Sequence, residues 1–234
     1  MFYREAGQFR TTYETDGQIL PIRQDRIVLL ATLAVAVLVV PFIASPYLLS
    51  AILIPFLIFA LAALGLNILT GYAGQLSLGT AAFMAVGAFA SWNFVARIPG
   101  IPMLLAFVLG GLCAALVGIA FGLPSLRIRG FYLAAATLAT QFFVIWCLTK
   151  ISWLTNYSPS GVITAQQIEI MGYAFDTPQR KYVLVLLVVA LLALLAKNLV
   201  RSNVGRSWMA VRDMDMAAEV IGIRPLRTKL LAFA

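Results

Sequence analysis

Long apolar runs separated by short polar segments make up most of the chain. Six of them stand out, at residues 27–45, 48–69, 76–96, 103–123, 131–149 and 182–200. A helix needs about 20 mostly apolar residues to cross the hydrocarbon core of a bilayer. Each run is apolar around its whole circumference, whereas a helix on the surface of a soluble protein carries a polar face. The pattern therefore predicts an all-α fold, a polytopic bundle of about six transmembrane helices.

A further apolar stretch closes the chain. It consists of Leu230, Leu231, Ala232, Phe233 and Ala234, and it is similar to the beginning of another run. We therefore expect the start of a seventh span at residue 230. We also expect the sequence to be a C-terminally truncated part of a longer protein.

Composition supports the membrane interpretation. The 234 residues are 62% hydrophobic and 11% charged, whereas a soluble domain has roughly 45–50% apolar and about 25% charged residues. A soluble fold of this length would have to expose the excess of apolar residues. The chain has no histidine, and its two cysteines, Cys113 and Cys147, lie inside apolar runs. Because the commonest metal ligand and general acid–base group is absent, we predict no metal site, no cofactor and no catalytic residue.

The distribution of positive charge predicts the topology. The net charge is +8, and 13 of the 17 basic residues fall on one side of the predicted membrane, 12 of them in the N-terminal tail and alternate gaps and Lys197 near the end of a run. The four exceptions are Arg97, Lys150, Arg180 and Lys181. Basic residues in short loops favour the cytoplasmic side of a membrane, so we place the N-terminal tail, 1–26, and the loop 201–229 in the cytoplasm and the loop 150–181 outside. Basic residues in this arrangement indicate topology rather than nucleic-acid binding.

Charge is almost absent from the runs themselves. Lys197, near a cytoplasmic end, is the only charged residue within them. Ion-coupled transporters usually keep ionisable groups inside the membrane, so their absence disfavours transport driven by an ion gradient. If the chain moves a solute uphill, we expect a separate subunit to supply the energy.

Residues 65–91, GLNILTGYAGQLSLGTAAFMAVGAFAS, are rich in glycine and small polar residues. Glycines this dense weaken a helix, so we predict a broken or re-entrant helix near 70–75. Irregular backbone at that depth survives where it is buried in protein or lines a wet cavity. Two interpretations stay open: a break that lines a solute path, and close helix packing through small residues. The candidate pathway residues are Asn67, Thr70, Gly71, Tyr72, Gly74, Gln75, Ser77 and Gly79.

The loop 201–229 is more than a solvated charge run. Apolar residues spaced by three and four predict an amphipathic helix over 211–221, and they are Val211, Met214, Ala218 and Ile221. Gly222 is placed to end that helix. Such a helix lies on lipid or inserts into the groove of a partner. Acidic residues in the loop disfavour an anionic leaflet, so we favour a protein partner.

Three blocks of this chain resemble one family closely. They are LGLNILTGYAGQLSLGTAAFMAVGA, then LPSLRIRGFYLAAATLA at 123–139, and VGRSWMAVRDMDMAAEVIGIRPLRTKLLAFA. Over roughly 45–234 the chain is similar to permease subunits of the branched-chain amino-acid (leucine/isoleucine/valine) ABC importers. The cytoplasmic loop of that family carries the motif EAA, three residues, Gly. Here Met216 replaces the glutamate, followed by Ala217, Ala218 and, after three residues, Gly222.

The resemblance implies a single transmembrane permease domain over 27–234 in a bacterial inner membrane. It assigns ATPase coupling to Met216, Ala217, Ala218, Glu219 and Gly222. It also implies ATP-binding cassette subunits that hydrolyse ATP, a second permease subunit, an extracytoplasmic solute-binding protein and membrane lipid as partners. The solute would be a branched-chain amino acid, urea, a short amide or an aromatic acid. The alternatives are an ATP-independent channel or facilitator, and a membrane enzyme, which the lack of a nucleophile with a nearby base disfavours.

Overall fold

The chain forms a succession of helices in a computed structural model, which describes residues 12, 23–125, 131–158, 161–163, 169–170 and 173–234. Helix α1 comprises Arg23–Ala34, a π-helical turn at Val35–Val39, and Val40–Ile43. Helix α2 comprises a π-helical turn at Leu48–Leu53, then Ile54–Asn67, then a second π-helical turn at Ile68–Tyr72. The next helices are α3 (Thr80–Arg97), α4 (Met103–Ser125) and α5 (Phe131–Lys150).

After α5 comes a minimal antiparallel hairpin, β1 (Glu169–Ile170) with β2 (Tyr173–Ala174), in which Glu169 pairs with Ala174 and Ile170 with Tyr173. Four helices complete the chain. They are α6 (Pro178–Arg201), α7 (Asn203–Asp213), α8 (Asp215–Val220) and α9 (Pro225–Phe233). Most of the tail 1–26, part of the block 123–139 and part of the loop 150–181 lie outside the described residues.

Five helices of the described residues are long and apolar enough to cross a membrane. They are Gln24–Ile43, Leu48–Tyr72, Met103–Leu123, Tyr132–Lys150 and Pro178–Arg201. Large apolar side chains such as Phe42 and Phe56 are exposed on them, which a bilayer permits and water does not. The all-α polytopic class is thus confirmed, together with five of the six predicted spans.

The predicted run 76–96 differs from the structure at its start. The chain is not helical from residue 74 to residue 79, and α3 begins only at Thr80. Helix α3 is not among the five spans, and it carries the polar residues Asn93 and Arg97 in its last two turns. The predicted start at 76 is therefore wrong, and a crossing by α3 stays a prediction. The helix expected from residue 230 already begins at Pro225, since a proline at the first helical turn lacks only an N–H that would have no helical partner there.

Two prolines explain the wide turn of α1 and the first wide turn of α2. Pro41 follows the π-helical turn Val35–Val39, and Pro55 follows Leu48–Leu53. Proline has no N–H to donate, and its ring collides with the carbonyl four residues earlier. A wider turn moves that carbonyl away from the ring, so the helix continues past the proline.

The chain divides into two compact units. The first holds Met1–Ile58 and Thr177–Asn198, and the second holds Phe59–Asp176 and Leu199–Ala234. In the first unit, Leu49 of α2 is fully buried against Tyr182 and Leu186 of α6. Whether 27–234 acts as one permease domain stays a prediction.

The core of the second unit lies between α3, α4 and α5. Ala82 and Val86 of α3 are buried with Val144 and Leu148 of α5, and Val117 of α4 packs against them. Helix α9 packs along α4 next to Gly122, whose missing side chain leaves room for Phe233. This unit contains both segments on which the functional prediction depends.

Candidate functional site

The glycine-rich segment breaks α2, as predicted. Helix α2 widens into its π-helical turn at Ile68–Tyr72, where the Ala73 N–H donates to the Ile68 carbonyl at 3.0 Å. Gly74 then adopts a φ of +68°, a conformation that L side chains rarely take. The Gln75 N–H turns back to the Leu69 carbonyl at 3.0 Å. Residues 74–79 continue without helical structure to the start of α3; we call residues 73–79 the break.

A threonine on α5 holds the break in place. The Leu78 N–H donates to Oγ1 of Thr137 at 2.9 Å, and that hydroxyl donates to the Ala134 carbonyl at 2.9 Å. Gly79 lies against the same residue, since a Cβ there would be 3.3 Å from the Thr137 carbonyl oxygen. Thr137 was not among the predicted site residues. No sequence signal distinguished it from Thr140 and Thr149, the other threonines of the same apolar run.

Two of the predicted pathway side chains are deeply buried in the break. Ser77 accepts a hydrogen bond from the Gly79 N–H at 3.3 Å. Gln75 is only 3% exposed, yet neither its Oε1 nor its Nε2 has a partner among the described residues. A buried polar group without a partner costs about 1–3 kcal/mol. The Gln75 amide therefore lies buried in the break with its hydrogen-bonding capacity unused among the described residues.

The remaining pathway candidates lie at the end of α2, where they bond or pack within the protein. Thr70 donates within its own helix to the Leu66 carbonyl at 2.8 Å. Asn67 lies beside Gly71, whose absent Cβ would be 2.6 Å from Asn67 Oδ1. Tyr72 is partly buried at the end of α2. The break thus combines close packing at its edges with unpaired polar groups at its centre.

A cavity of about 360 Å³ lies beside the break. Ser77 and Thr80 contribute to its wall, together with Trp208 of α7 and Phe233 of α9. Among the predicted pathway residues Ser77 alone lines it. In the described part of the chain no group of His, Cys, Asp or Glu side chains comes together that could hold a metal ion.

Helix α7 of the loop 201–229 contacts the break directly. Nη1 of Arg212 donates to the Gly71 carbonyl at 2.7 Å. The side chain of Arg212 lies so close to Gly74 that a Cβ there would be 2.6 Å from Arg212 Cγ. Trp208 and Val211 of α7 are buried. The two segments singled out in the sequence are therefore in contact, a relationship that no sequence pattern indicated.

Two polar contacts join α7 and α8 to α9. Nε1 of Trp208 donates to the Thr228 carbonyl at 3.0 Å. Lys229 forms a salt bridge of 2.7 Å with Asp215. Together with Arg212, these bonds link the loop helices to one another and to the end of α2.

The single helix predicted over 211–221 is wrong. The chain forms two helices, α7 and α8, separated by Met214 in an extended conformation with φ −155° and ψ 96°. Val211 and Ala218 are buried, but Met214 is 69% exposed and Ile221 is 73% exposed, so the apolar residues do not form one stripe. Asp215 favours a helix start, because it lies in the first turn of α8 and complements the helix dipole there, whereas α7 ends with Arg212 and Asp213, which form a salt bridge of 2.8 Å with each other.

Gly222 ends α8 as predicted. Its φ of +91° allows its N–H to donate to the Glu219 carbonyl at 3.0 Å, while the Ile223 N–H donates to the Ala218 carbonyl at 3.0 Å. This pair of bonds is a Schellman motif. It satisfies carbonyls that the helix end would otherwise leave unpaired.

The predicted coupling residues lie on different sides of α8. Ala218 points inward and is buried, whereas Ala217, Glu219 and Gly222 are exposed. Met216 is 80% exposed, and Val220, which the sequence analysis missed, is 88% exposed. Met214 and Ile221, which flank α8, are exposed as well, and we refer to Met214, Met216, Val220 and Ile221 together as the exposed apolar face.

Comparison with known proteins identifies one family. The family described as branched-chain amino acid transport system / permease component matches residues 48–234. The chain is 30% identical over 200 residues to the high-affinity branched-chain amino acid transport system permease protein LivM of Escherichia coli (strain K12), which covers 76% of this chain and 47% of that protein. LivM of Salmonella typhimurium (strain LT2) gives the same values. The chain thus spans about half the length of these curated relatives, and no solved structure matches it.

Proposed function

The chain belongs to the family of permease components of branched-chain amino-acid transport systems, and from that premise we propose that it is a permease subunit of an ATP-driven ABC importer. As a family member it is a multi-pass membrane protein and a non-enzymatic transport subunit. In the proposed complex it forms part of the pathway for a branched-chain amino acid or a related small polar solute. Its partners are ATP-binding cassette subunits, a second permease subunit and an extracytoplasmic solute-binding protein, in a bacterial inner membrane with the N-terminus cytoplasmic.

The observation that carries the proposal is the exposed apolar face of α8. Val220 and Met216 are among the most exposed large apolar side chains of the described residues, and they lie on a loop rather than on a membrane-spanning helix. An apolar face on a short helix fits the groove of a partner protein. Acidic Asp213, Asp215 and Glu219 beside it disfavour an anionic leaflet. A cytoplasmic ATPase that receives α8 is therefore the partner we assign to this face.

Hydrogen bonds and a salt bridge supply a route from that face to the break. Asp215 ties α8 to Lys229 on α9, and Trp208 ties α7 to α9 through Thr228. Arg212 then ties α7 to the Gly71 carbonyl at the end of α2. Packed elements linked in this way transmit a displacement when they have two discrete arrangements. We propose that closure of the ATPase moves α8, and that α7 passes the movement to the break.

The test is purification of the full-length protein from its native membrane in mild detergent, followed by identification of the proteins that accompany it in constant ratio. We expect an ATP-binding cassette subunit and a second permease subunit. Reconstituted vesicles should then accumulate labelled leucine only with ATP and the solute-binding protein. A protein that purifies alone and passes solute down its gradient without ATP would instead be the channel or facilitator, for which the cavity beside Ser77 would provide the path.

A further inference from the structure

A second and larger cavity lies away from the break, between α3, α4 and α5. Its volume is about 550 Å³, within the range of about 300–1,000 Å³ typical of small-molecule sites. Apart from Asn93, Arg97 and the two cysteines, all the side chains that line it are aliphatic or aromatic. Because such a wall offers water too few hydrogen-bonding partners, the space favours an apolar occupant.

Asn93 does not make the cavity polar. The residue is buried, and its Nδ2 donates to the Phe89 carbonyl at 2.8 Å and to the Leu154 carbonyl at 2.9 Å. Its Oδ1 is buried in the protein and offers no accessible surface to an occupant. A polar solute would therefore lose its hydrogen bonds to water on entry and gain few in return, whereas a hydrocarbon chain has none to lose.

The cavity reaches the outer surface of α5. Phe143 lines the cavity and is exposed, and its ring stacks on that of Trp146, which is exposed as well. Both α4 and α5 are long and apolar enough to cross a membrane. Hydrocarbon of the bilayer therefore lies next to the opening, and a lipid chain reaches the cavity from the side.

One end of the cavity carries positive charge. Arg97 of α3 and Trp153, which follows α5, both line the cavity and are both exposed, so they mark its rim. The Arg97 guanidinium lies 3.7 Å from the centre of the Trp153 ring and donates to the Trp153 carbonyl. Lys150, the exposed last residue of α5, precedes Trp153 by three positions. Two cations and a tryptophan therefore lie together where α3 and α5 end.

This rim has no counter-ion among the described residues. The chain contains no aspartate or glutamate from residue 26 to residue 168, so α3, α4 and α5 contribute no carboxylate. No carboxylate elsewhere in the described part of the chain forms a salt bridge with Arg97. A guanidinium has five N–H donors, more than one carbonyl engages. An anion with several oxygens, such as a phosphate group, would match both the charge and the donors of Arg97.

We propose that the cavity holds one acyl chain of an anionic phospholipid, whose phosphate pairs with Arg97 at the rim. Tryptophan and basic side chains are typical of the headgroup level of a bilayer, and the apolar wall extends from them along the two spans. The positive charge of Arg97 and Lys150 favours a lipid with net negative charge over a zwitterionic one. By the predicted topology the lipid belongs to the outer leaflet. The inference goes beyond the transport function, and it requires only that α4 and α5 cross the bilayer.

The test uses the full chain, purified with the subunits that accompany it and placed in nanodiscs of phosphatidylcholine. The probe is phosphatidylglycerol with a photoreactive diazirine in one acyl chain, and mass spectrometry of peptides identifies the labelled residues. We expect Cys113 and Val117, which line the cavity, to be labelled in preference to Leu112 and Leu116, which are exposed on the same helix and do not line it. Unlabelled phosphatidylglycerol should compete for the wall residues about fivefold better than phosphatidylcholine, the effect of one basic residue near a headgroup.

Variants separate the tail from the headgroup. Ala90→Trp, at a position that lines the cavity, should abolish labelling of Val117 and leave labelling of Leu116 unchanged. Ala88→Trp, on the exposed side of α3, should change neither.

Arg97→Gln should lower the preference for phosphatidylglycerol to about twofold or less, and Arg97→Lys should keep most of it. Because Arg97 is exposed, both substitutions should leave the fold intact. The lipid competition in the unmodified protein depends on no variant.

Three results would overturn the proposal. The first is labelling of the wall no stronger than that of Leu116, or with no preference between the two lipids. The second is loss of wall labelling when leucine is added, which would assign the cavity to the solute. The third is wall labelling that appears only after the accompanying subunits are removed, which would show that a subunit fills the cavity. None of these readouts needs ATP or transport, so they hold whether or not the chain is an importer subunit.

Discussion

Arg212 occupies the space in which a side chain on Gly74 would have to lie. A Cβ built on Gly74 would be 2.6 Å from Arg212 Cγ and 3.2 Å from its Cβ. The guanidinium meanwhile donates to the carbonyl of Gly71, three residues earlier. Arg212 of the loop 201–229 therefore packs on Gly74 and bonds to Gly71 at the same time, and several predictions concern this contact.

Gly74→Ala should damage the protein for two separable reasons. A φ of +68° strains alanine, and the new methyl group collides with Arg212. The strain alone costs about 1–2 kcal/mol. Gly100→Ala is the matched control, because Gly100 has a φ of +83° with no atom within 4 Å of the added carbon. Thermal unfolding in detergent should show a larger loss of stability for Gly74→Ala than for Gly100→Ala. Equal losses would mean that Arg212 moves aside freely.

Arg212→Gln should uncouple the loop from the break. It removes the charge-assisted hydrogen bond to the Gly71 carbonyl, worth about 1.5–3 kcal/mol, and the exposed salt bridge to Asp213, while the residues of α8 are unchanged. We expect normal binding of the ATPase subunit and at least about tenfold lower ATP-dependent uptake. Arg206→Gln is the control, since Arg206 lies on the same helix and bonds to Asn203 within it. If both variants transport equally well, the link through Arg212 does not carry the movement.

The double variant Gly74→Ala with Arg212→Ala tests whether residues 74 and 212 pack against each other. Shortening Arg212 removes the Cγ that the new methyl group would meet. Residues in contact give non-additive effects, with interaction energies of about 0.5–3 kcal/mol. The double variant should therefore be less destabilised than the sum of the two single variants. Simple additivity would place the two residues out of contact.

Val220→Asp and Met216→Asp should release the ATPase and leave the fold intact. Both side chains are highly exposed, so substitution should change stability by no more than about 0.5 kcal/mol. A carboxylate in an apolar groove is desolvated without a partner, which should remove the cassette subunit from the purified complex. Val162→Asp, an exposed valine in the predicted outer loop, serves as the control. Retention of the cassette subunit by both α8 variants would exclude this face as the docking surface.

Gln75→Leu should lower transport without lowering thermal stability. The substitution removes two buried polar atoms that lack partners, so thermal stability should stay the same or rise, by up to about 1–3 kcal/mol. Uptake should fall, because the amide is then no longer available to solute or water. Thr137→Val should instead lower thermal stability, because it leaves the Leu78 N–H without its acceptor. Unchanged uptake by Gln75→Leu would remove Gln75 from the pathway.

Much of the fold could be predicted because the length and apolarity of a run are sufficient to predict a span. The start of α3 could not, because Leu76 and Leu78 continue the apolar pattern, while the Leu78 N–H bonds to the side chain of Thr137, 59 residues further along the chain, in a segment that is not helical. Met214 is a similar case. Its spacing fits one helix, but its extended backbone divides α7 from α8, and Asp215 after it favours a new helix start.

The candidate sites depend even more on tertiary structure. The glycine-rich segment and the loop 201–229 each carry a local signal, yet their contact joins Gly71 to Arg212 across 141 positions. Asn93 carries no local signal at all. Its hydrogen bonds depend on Leu154, 61 residues away, whose carbonyl accepts from Asn93 Nδ2.

The 25 residues from Leu48 to Tyr72 form a longer helix than a bilayer requires. At about 1.5 Å per residue this helix is roughly 37 Å long, against a hydrocarbon core about 30 Å thick. It must therefore tilt or extend beyond the core. If its last turn extends, Gly71 lies among the lipid headgroups, where Arg212 keeps its charge hydrated while it reaches the carbonyl. The thickness of the surrounding bilayer then determines how far the end of α2 emerges, and the response of the permease to its loop helices becomes sensitive to the length of the lipid chains.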